Sequence, residues 1–149
     1  MKVISGCLVI KDNKILMVKE ANPICYGKWN FPAGEVDEGE KIRVAAIREV
    51  LEETGCTVNL KGVLPIVSIK APNGETHVLV RFVADMVDEN IKFDSKEILD
   101  VKWMDFEKIK NMSIDEIRGY DTTKKLIKDI EDDNIYPLDV ISDLEFPNG

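Results

Sequence analysis

The sequence predicts one domain of mixed α/β character, because segments typical of β-strands and segments typical of helices both occur along a chain of 149 residues. That length is enough for one hydrophobic core, and no repeat, low-complexity segment or linker divides it. Hydrophobic residues make up 44% of the chain and charged residues 32%, as in ordinary globular proteins. We therefore expect residues 1–149 to fold as a single domain.

A hairpin is predicted at the N-terminus. Residues 3–10 are rich in β-branched and aliphatic side chains, which favours a strand. Asp12 and Asn13 favour a turn, and residues 14–19 then have the composition of a returning strand. The chain is expected to leave this hairpin through a loop at 20–28.

A glycine-containing loop precedes the longest uninterrupted run of helix-forming residues. Residues 29–31 predict a short strand that ends at Pro32, and the loop continues to residue 39. Residues 40–54 contain neither Gly nor Pro, and Gly55 favours a helix C-terminus at this point. The sequence thus predicts a loop, a helix and a second loop in succession.

The second half of the chain is predicted to contain three strands and two helices. Segments 56–70 and 76–87 predict strands joined by a hairpin turn at 71–75, where Asn73 and Gly74 favour positive φ at both central positions. The remaining segments are a strand at 99–104, a short helix at 105–110 and a helix at 114–130 that Gly119 weakens. The acidic tail at 131–149 is expected to be a loop or to dock loosely on the domain.

The charge balance excludes some partners. The chain carries 28 acidic and 20 basic residues, a formal net charge of −8. Such a protein repels nucleic-acid polymers and anionic membrane surfaces, but a small phosphorylated ligand is compatible with it when metal ions offset the negative charge. We expect a small-molecule partner, and the sequence is compatible with a monomer or a homodimer.

The cysteines and the N-terminus indicate a cytoplasmic protein. Cys7, Cys25 and Cys56 have spacings that fit neither a disulfide framework nor a zinc site, so reduced thiols are expected. The apolar N-terminal segment lacks the length and cleavage pattern of a signal peptide. No apolar run approaches the roughly 20 residues that span a bilayer.

One face of the helix at 40–54 is predicted to be charged. On a helical wheel with Ala45 at zero, three glutamates and one arginine fall within an arc of about 140°. The opposite side is apolar and is expected to pack on the sheet. The charged residues are Arg48, Glu49, Glu52 and Glu53, and the apolar ones are Ala46, Ile47, Val50 and Leu51.

The acidic face is a candidate metal site. Glu49 is spaced i, i+3 from Glu52 and i, i+4 from Glu53, so the carboxylates repel one another unless a cation lies among them. Mg²⁺ prefers oxygen ligands and leaves room for phosphate oxygens, and Gly34 allows its backbone carbonyl to approach as a further ligand. Glutamates are also common on solvated helix faces, so this cluster alone leaves a structural interpretation open.

Residues 34–56 resemble a known motif. The Nudix box has the pattern Gly-x5-Glu-x7-Arg-Glu-U-x-Glu-Glu-x-Gly-U, in which U is aliphatic. This segment resembles it at all seven fixed positions, which are occupied by Gly34, Glu40 and residues of the run 48–55. The one departure is Cys56 at the last U position, where a small apolar side chain is tolerated by packing. The segment 29–34 is similar to the lead-in of the same family.

The resemblance to the Nudix family implies a fold and a reaction. The fold is an α/β/α sandwich around a mixed β-sheet, with the box as a loop–helix–loop motif. The reaction is magnesium-dependent hydrolysis of a phosphoanhydride bond in a nucleoside diphosphate linked to another group, and Mn²⁺ is an expected substitute for Mg²⁺.

By position in the box, the resemblance also implies roles for individual residues. The metal ligands would be the Gly34 carbonyl together with Glu49, Glu52 and Glu53. A box glutamate or an acid outside the box would act as base, and the family often carries such an acid in the loop that here contains Glu97. Arg48 would pair with and orient a box glutamate, and Glu40 would be a structural acid at the start of the helix.

The substrate is left open between two classes. A modified nucleoside di- or triphosphate, with Trp29 and Phe31 as binding residues, is the first. ADP-ribose or another nucleotide sugar is the second, because Pro72 lies 16 residues beyond the box, near a proline for which the ADP-ribose subfamily is noted. Pro72 is also explained by its turn alone. Nucleotide binding without catalysis is a third interpretation, although domains of that kind usually lose the box glutamates that this chain retains.

Overall fold

Eight β-strands and three α-helices make up the part of the chain that this computed structural model describes, residues 1–147. The strands are β1 (Lys2–Lys11), β2 (Lys14–Glu20), β3 (Trp29–Asn30), β4 (Ala33–Glu35), β5 (Thr57–Val63), β6 (Val67–Lys70), β7 (Thr76–Asp88) and β8 (Ile98–Asp105). The helices are α1 (Ile42–Thr54), α2 (Phe106–Lys110) and α3 (Tyr120–Glu131).

The strands form a mixed sheet with β1 at its centre. Strand β1 runs parallel to β7 and antiparallel to β2 and β4. Strands β5 and β6 add to β7 in antiparallel orientation, while β3 and β8 pair with β2. The predicted α/β architecture around a mixed sheet is therefore confirmed.

Two hydrophobic clusters lie on opposite faces of the sheet. Alternate residues of β1 point to opposite sides, so Cys7 and Leu8 belong to different clusters. The first cluster packs under α1, with Val50 among its members, and the second packs under α2 and α3, with Ile109 and Leu126. These layers are the α/β/α sandwich that the family resemblance implied.

The predicted hairpin turns differ in their backbone conformation. Asp12 and Asn13 both have positive φ (50° and 61°), which matches the right-handed twist of β1 and β2. In the turn between β6 and β7, only Gly74 has positive φ (88°), so the expectation for Asn73 was wrong. That turn is instead closed by hydrogen bonds from the Gly74 N–H to the Ala71 carbonyl and from the Ala71 N–H to the Glu75 carbonyl.

Helix α1 ends where the sequence predicts but begins later. Gly55 adopts φ 77° and its N–H donates to the Leu51 carbonyl, which is the expected left-handed C-terminus. The helix begins at Ile42 rather than residue 40, because Lys41 has an extended backbone (φ −77°, ψ 145°) and the Glu40 N–H closes a turn with the Asp37 carbonyl.

The apolar face of α1 was predicted only in part. Ala46 and Val50 pack on the sheet as expected, but Leu51 is 50% exposed. Glu53, assigned to the charged face, is buried instead. The helix is therefore rotated about its axis relative to the expectation, since its buried positions include 45, 46, 50, 53 and 54.

Three segment boundaries also differ from the prediction. The strand expected at 56–70 divides into β5 and β6, and Pro65, which has no N–H for the ladder, lies in the gap. The loop predicted at 32–39 contains β4. The helix expected from residue 114 begins at Tyr120, because Gly119 has φ 63° and residue 117 forms a β-bridge with Trp29.

The segment after α3 contacts the body of the domain. Tyr136 exchanges two backbone hydrogen bonds with Val63, and the Arg43 guanidinium donates to the carbonyls of Leu138 and Ile141. Residues 148 and 149 of the predicted acidic tail lie outside the described residues. Within residues 1–147, none of the helices combines the length and apolar character needed to cross a bilayer.

Candidate active site

The Glu53 side chain connects the C-terminal end of α1 to β4 by a hydrogen bond. This side chain is buried, and its Oε1 atom accepts a hydrogen bond of 2.7 Å from the Ala33 N–H. Because Ala33 also pairs with Gly6 of β1, the carboxylate is attached to the sheet through a backbone group. Helix and sheet together therefore position this acid.

The Glu49 carboxylate lies directly against Gly34. A Cβ atom at residue 34 would collide with the carboxylate carbon and both carboxylate oxygens of Glu49. Glycine at this position permits the close approach of the Glu49 carboxylate, and its backbone conformation is not unusual. The contact brings a backbone segment and a carboxylate oxygen pair together at one point.

Arg48 is bound by several acceptors around the box. Its Nε and Nη2 atoms donate to the two Glu40 oxygens at 2.6 and 2.9 Å. Its Nη1 atom donates to Glu49 at 2.8 Å and to Glu52 at 3.1 Å, and Nη2 also reaches the Glu35 carbonyl. One guanidinium therefore ties the loop before α1 to two of its glutamates.

The acids of this region have shifted pKa values. Burial raises the pKa of Glu53 well above its ordinary range, and the negative charge of Glu20 adds to that effect. Burial also raises the pKa of Glu49, against the opposing effect of Arg48. Hydrogen bonding to Arg48 lowers the pKa of Glu40. The two acids beside β4 are thus held where negative charge is costly, which is typical of functional sites.

Glu20 belongs to this region although it was predicted to lie in a loop. It is the last residue of β2, its side chain is buried, and it lies 3.4 Å from the Asn30 amide and 3.8 Å from Arg118. Its charge raises the pKa of Glu53. The only sequence signal was an acid one position beyond an apolar strand, which by itself is weak.

Glu97 is brought to the same region by its loop. Its side chain is exposed, and its backbone carbonyl accepts a hydrogen bond from the Ala21 N–H, next to the end of β2. Its charge also contributes to the raised pKa of Glu53. Among the box glutamates, this effect of Glu97 is seen at Glu53.

The two aromatic residues before the box differ in exposure. Phe31 is 1% exposed and packs in the second hydrophobic cluster. Trp29 is only partly buried, and the Lys19 ammonium lies 5.8 Å from the centre of its ring. The structure thus brings Trp29, but not Phe31, to the surface.

The donor chemistry of the box fits a hard divalent cation. Glu49, Glu52 and Glu53 carry carboxylate oxygens, and the Gly34 backbone lies against the Glu49 carboxylate. Among residues 1–147, no three His, Cys, Asp or Glu side chains converge as a ready-made ligand set. Two of these glutamates instead contact Arg48, and Glu53 contacts the Ala33 N–H.

Comparisons with known proteins agree on one family. The model described as NUDIX domain matches residues 2–126. A protein of Methanocaldococcus jannaschii named ADP-ribose pyrophosphatase is 30% identical, over 82% of this chain and 68% of its own. A Bacillus subtilis protein named putative 8-oxo-dGTP diphosphatase is 31% identical, over 66% of this chain and 64% of its own.

Solved structures agree with that result. A NUDIX hydrolase from Nitrosomonas europaea superimposes with a TM-score of 0.85 at 28% identity, covering 96% of this chain and 97% of that one. Some curated relatives are longer proteins, since the match spans 29% of one and 50% of another.

Proposed function

This chain belongs to the Nudix hydrolase family, and from that premise we propose that it hydrolyses a phosphoanhydride bond in a nucleoside diphosphate-linked substrate, with magnesium as cofactor. The observation that carries the proposal is the placement of Glu49 against Gly34 and of Glu53 on the Ala33 N–H. Two carboxylates from one helix thereby meet one backbone segment, which suits a diphosphate bound through a divalent cation.

In this proposal the residues of the box hold the cation and orient one another. Gly34, Glu49, Glu52 and Glu53 would be its ligands, and manganese, which takes similar oxygen ligands, would substitute. When bound, magnesium would neutralise charge on the phosphate oxygens. Arg48 keeps two of these glutamates in place through its hydrogen bonds to Glu49 and Glu52.

A carboxylate would accept the proton of the attacking water. Glu53 and Glu97 are the two candidates, and the contribution of the Glu97 charge to the raised pKa of Glu53 supports considering them together. A carboxylate that binds a cation must stay deprotonated and is a poorer proton acceptor, so Glu97, which lies outside the proposed ligand set, is favoured as the base when Glu53 binds the metal. General-base help of this kind typically contributes about 10²- to 10⁴-fold to the rate.

We propose a modified nucleoside di- or triphosphate as the first substrate class. The partly exposed Trp29, close to Lys19, offers an aromatic face for a base. The name of the Bacillus relative, a putative 8-oxo-dGTP diphosphatase, supports the same class. The three free, buried cysteines suit a reducing compartment, and so support a cytoplasmic location.

A nucleotide sugar is the second candidate. The relative named ADP-ribose pyrophosphatase matches a larger share of this chain than the Bacillus protein does, 82% against 66%. Pro72 adds little, because it lies exposed in the turn between β6 and β7, which accounts for a proline without a substrate.

A magnesium-dependent hydrolysis screen tests these proposals. Damaged nucleoside triphosphates, ADP-ribose and dinucleoside polyphosphates are incubated with the protein, and release of phosphate or pyrophosphate is compared with release of AMP. We expect Glu52→Gln and Glu53→Gln each to lose about 100-fold or more in turnover. The exposed Glu38 of the same loop provides the matched control, Glu38→Gln. Unchanged turnover in both box variants would refute the site, and binding without product over hours would favour the non-catalytic alternative.

A further inference from the structure

Arg81 is a buried cation for which the protein provides no hydrogen-bond partner. It lies on β7 and is 6% exposed. Its Nε and Nη1 atoms are sealed from solvent and, within residues 1–147, donate no hydrogen bond, whereas Nη2 retains access to solvent. Buried guanidinium groups are normally paired, so an unpaired one calls for a partner that the chain itself does not supply.

Arg81 belongs to the same cross-strand row as the anchor of Glu53. Gly6 of β1 pairs with Arg81 on one side and with Ala33 of β4 on the other. The Ala33 N–H is the group that holds the Glu53 carboxylate. Only β1 therefore lies between Arg81 and Ala33, and the β1 residue at this position, Gly6, has no side chain.

The electrostatic surroundings of Arg81 leave its charge incompletely balanced. Burial lowers the pKa of Arg81 to about 10, Cys7 and to a smaller extent Glu53 oppose that effect, and Arg118 reinforces it. The Glu53 Oε1 atom accepts from the Ala33 N–H and does not pair with Arg81. The Glu20 carboxylate contacts Asn30 and Arg118 instead. No hydrogen-bonded counter-ion for the Arg81 guanidinium is found in the described part of the chain.

We propose that Arg81 donates hydrogen bonds to an anionic phosphate oxygen of the substrate. This inference rests on the proposed function and identifies a substrate-binding residue outside the Nudix box. A phosphate offers both the negative charge and the oxygen acceptors that the guanidinium lacks. The edge of a neutral base would satisfy the hydrogen bonds but would leave the buried charge unbalanced.

A calorimetric titration with ADP and with adenosine tests this role. The two ligands share the nucleoside and differ in the diphosphate, so their difference in affinity isolates the phosphate contribution. Wild type is compared with Arg81→Met, which removes the guanidinium but retains an unbranched apolar chain, and with Arg81→Lys, which retains only a point charge. Lys61→Met, an exposed cation on β5, controls for the loss of one positive charge.

We expect Arg81→Met to bind ADP about 10- to 100-fold more weakly than wild type, with adenosine affinity unchanged. Its Tm should be equal to or above that of wild type, because an unpaired buried charge is removed. If Arg81 were instead a structural counter-ion for Glu20 and Glu53, the Tm of Arg81→Met would be lower than that of wild type. Unchanged ADP affinity, or parallel losses for ADP and adenosine, would overturn the proposal.

Arg81→Lys decides the matter if Arg81→Met does not fold. Lysine cannot reproduce the fork of the guanidinium, so we expect ADP affinity to fall at least about five-fold while adenosine affinity is retained. Retention of wild-type ADP affinity in Arg81→Lys would then overturn the proposal.

The two proposals fail separately. If wild type hydrolyses no substrate but Arg81→Met loses ADP affinity, the hydrolase proposal fails and Arg81 remains a phosphate-binding residue. If wild type is active and Arg81→Met has unchanged KM, only the role of Arg81 is refuted.

Discussion

Arg48 and Glu40 form a bidentate ion pair, in which Arg48 Nε lies 2.6 Å from Glu40 Oε2 and Arg48 Nη2 lies 2.9 Å from Glu40 Oε1. The pair joins the loop before α1 to the second turn of the helix. It also leaves Nη1 free to hold Glu49 and Glu52. The geometry therefore links the stability of the loop to the orientation of the proposed metal ligands.

Replacement of Glu40 by Gln should make the stability of the protein less dependent on pH. At pH 7 we expect the free energy of unfolding to fall by about 1–2 kcal/mol, because a charge-assisted pair becomes a neutral contact. The pKa of Glu40 is lower in the folded state than its ordinary value of about 4.3. The contribution of Glu40 to stability is therefore complete above that pH and is lost as the pH falls through the lowered pKa. Urea unfolding of both proteins at pH 7 and at decreasing pH below 4 measures this. A difference that persists in strong acid would contradict the assignment.

Gly34→Ala should impair activity with little loss of stability. The new Cβ would meet the Glu49 carboxylate, which is the end of a flexible side chain and can rotate away. Displacing a positioned group by about 1 Å costs on the order of 100-fold in rate. Hydrolysis assays and thermal unfolding measure the two effects.

Gly74→Ala is the matched control for that variant. Gly74 has φ +88° in open space, so alanine there should destabilise the protein by about 1 kcal/mol and leave turnover unchanged. Equal loss of activity in both variants would argue against a specific role for the contact between Gly34 and Glu49.

Glu53→Gln should lose activity while gaining stability in metal-free buffer. Glu53 is 9% exposed, and burial together with the charge of Glu20 disfavours the ionised form of its carboxyl group. A neutral amide of the same shape keeps an acceptor for the Ala33 N–H without that cost, so Tm should rise or remain equal. Differential scanning calorimetry checks the sign. The exposed Glu52 is the comparison, because Glu52→Gln should change Tm little.

Arg43→Met should release the segment after α3. The guanidinium donates to the carbonyls of Leu138 and Ile141, and these bonds hold the chain against the first turn of α1. We expect faster amide exchange and proteolysis beyond residue 136 and a loss of about 1–3 kcal/mol. Lys41→Met removes a more exposed contact, with Glu145, and should have little effect. Protection equal to wild type would show that the segment is held by other contacts.

The local features of the box region could be predicted from the sequence. The C-terminus of α1 at Gly55 was correct, because a left-handed residue after a helix depends on few neighbours. The two hairpins were also predicted, since short loops and strand-forming runs are local signals. The backbone conformation predicted for Asn73 was wrong, because Asn73 lies in a longer loop and does not have positive φ. Asp12 and Asn13, which form the two-residue turn, do have positive φ.

The rotation of α1 and the environment of single charges required the tertiary structure. A helical wheel assigned Leu51 to the buried side, but the sheet covers the side that contains Glu53. Glu20 and Arg81 gave no usable sequence signal, because their importance comes from burial and from neighbours distant in the chain.

The sequence by itself determined the family, the α/β class and the set of acids on one helix, since a motif with fixed spacing and short-range periodicity are both local properties of a chain. Only the tertiary structure decided which of those acids is buried, that Glu49 touches Gly34, and that Arg81 is left without a partner. These outcomes depend on how strands from distant segments are registered side by side, and on which side chains the resulting layers remove from water.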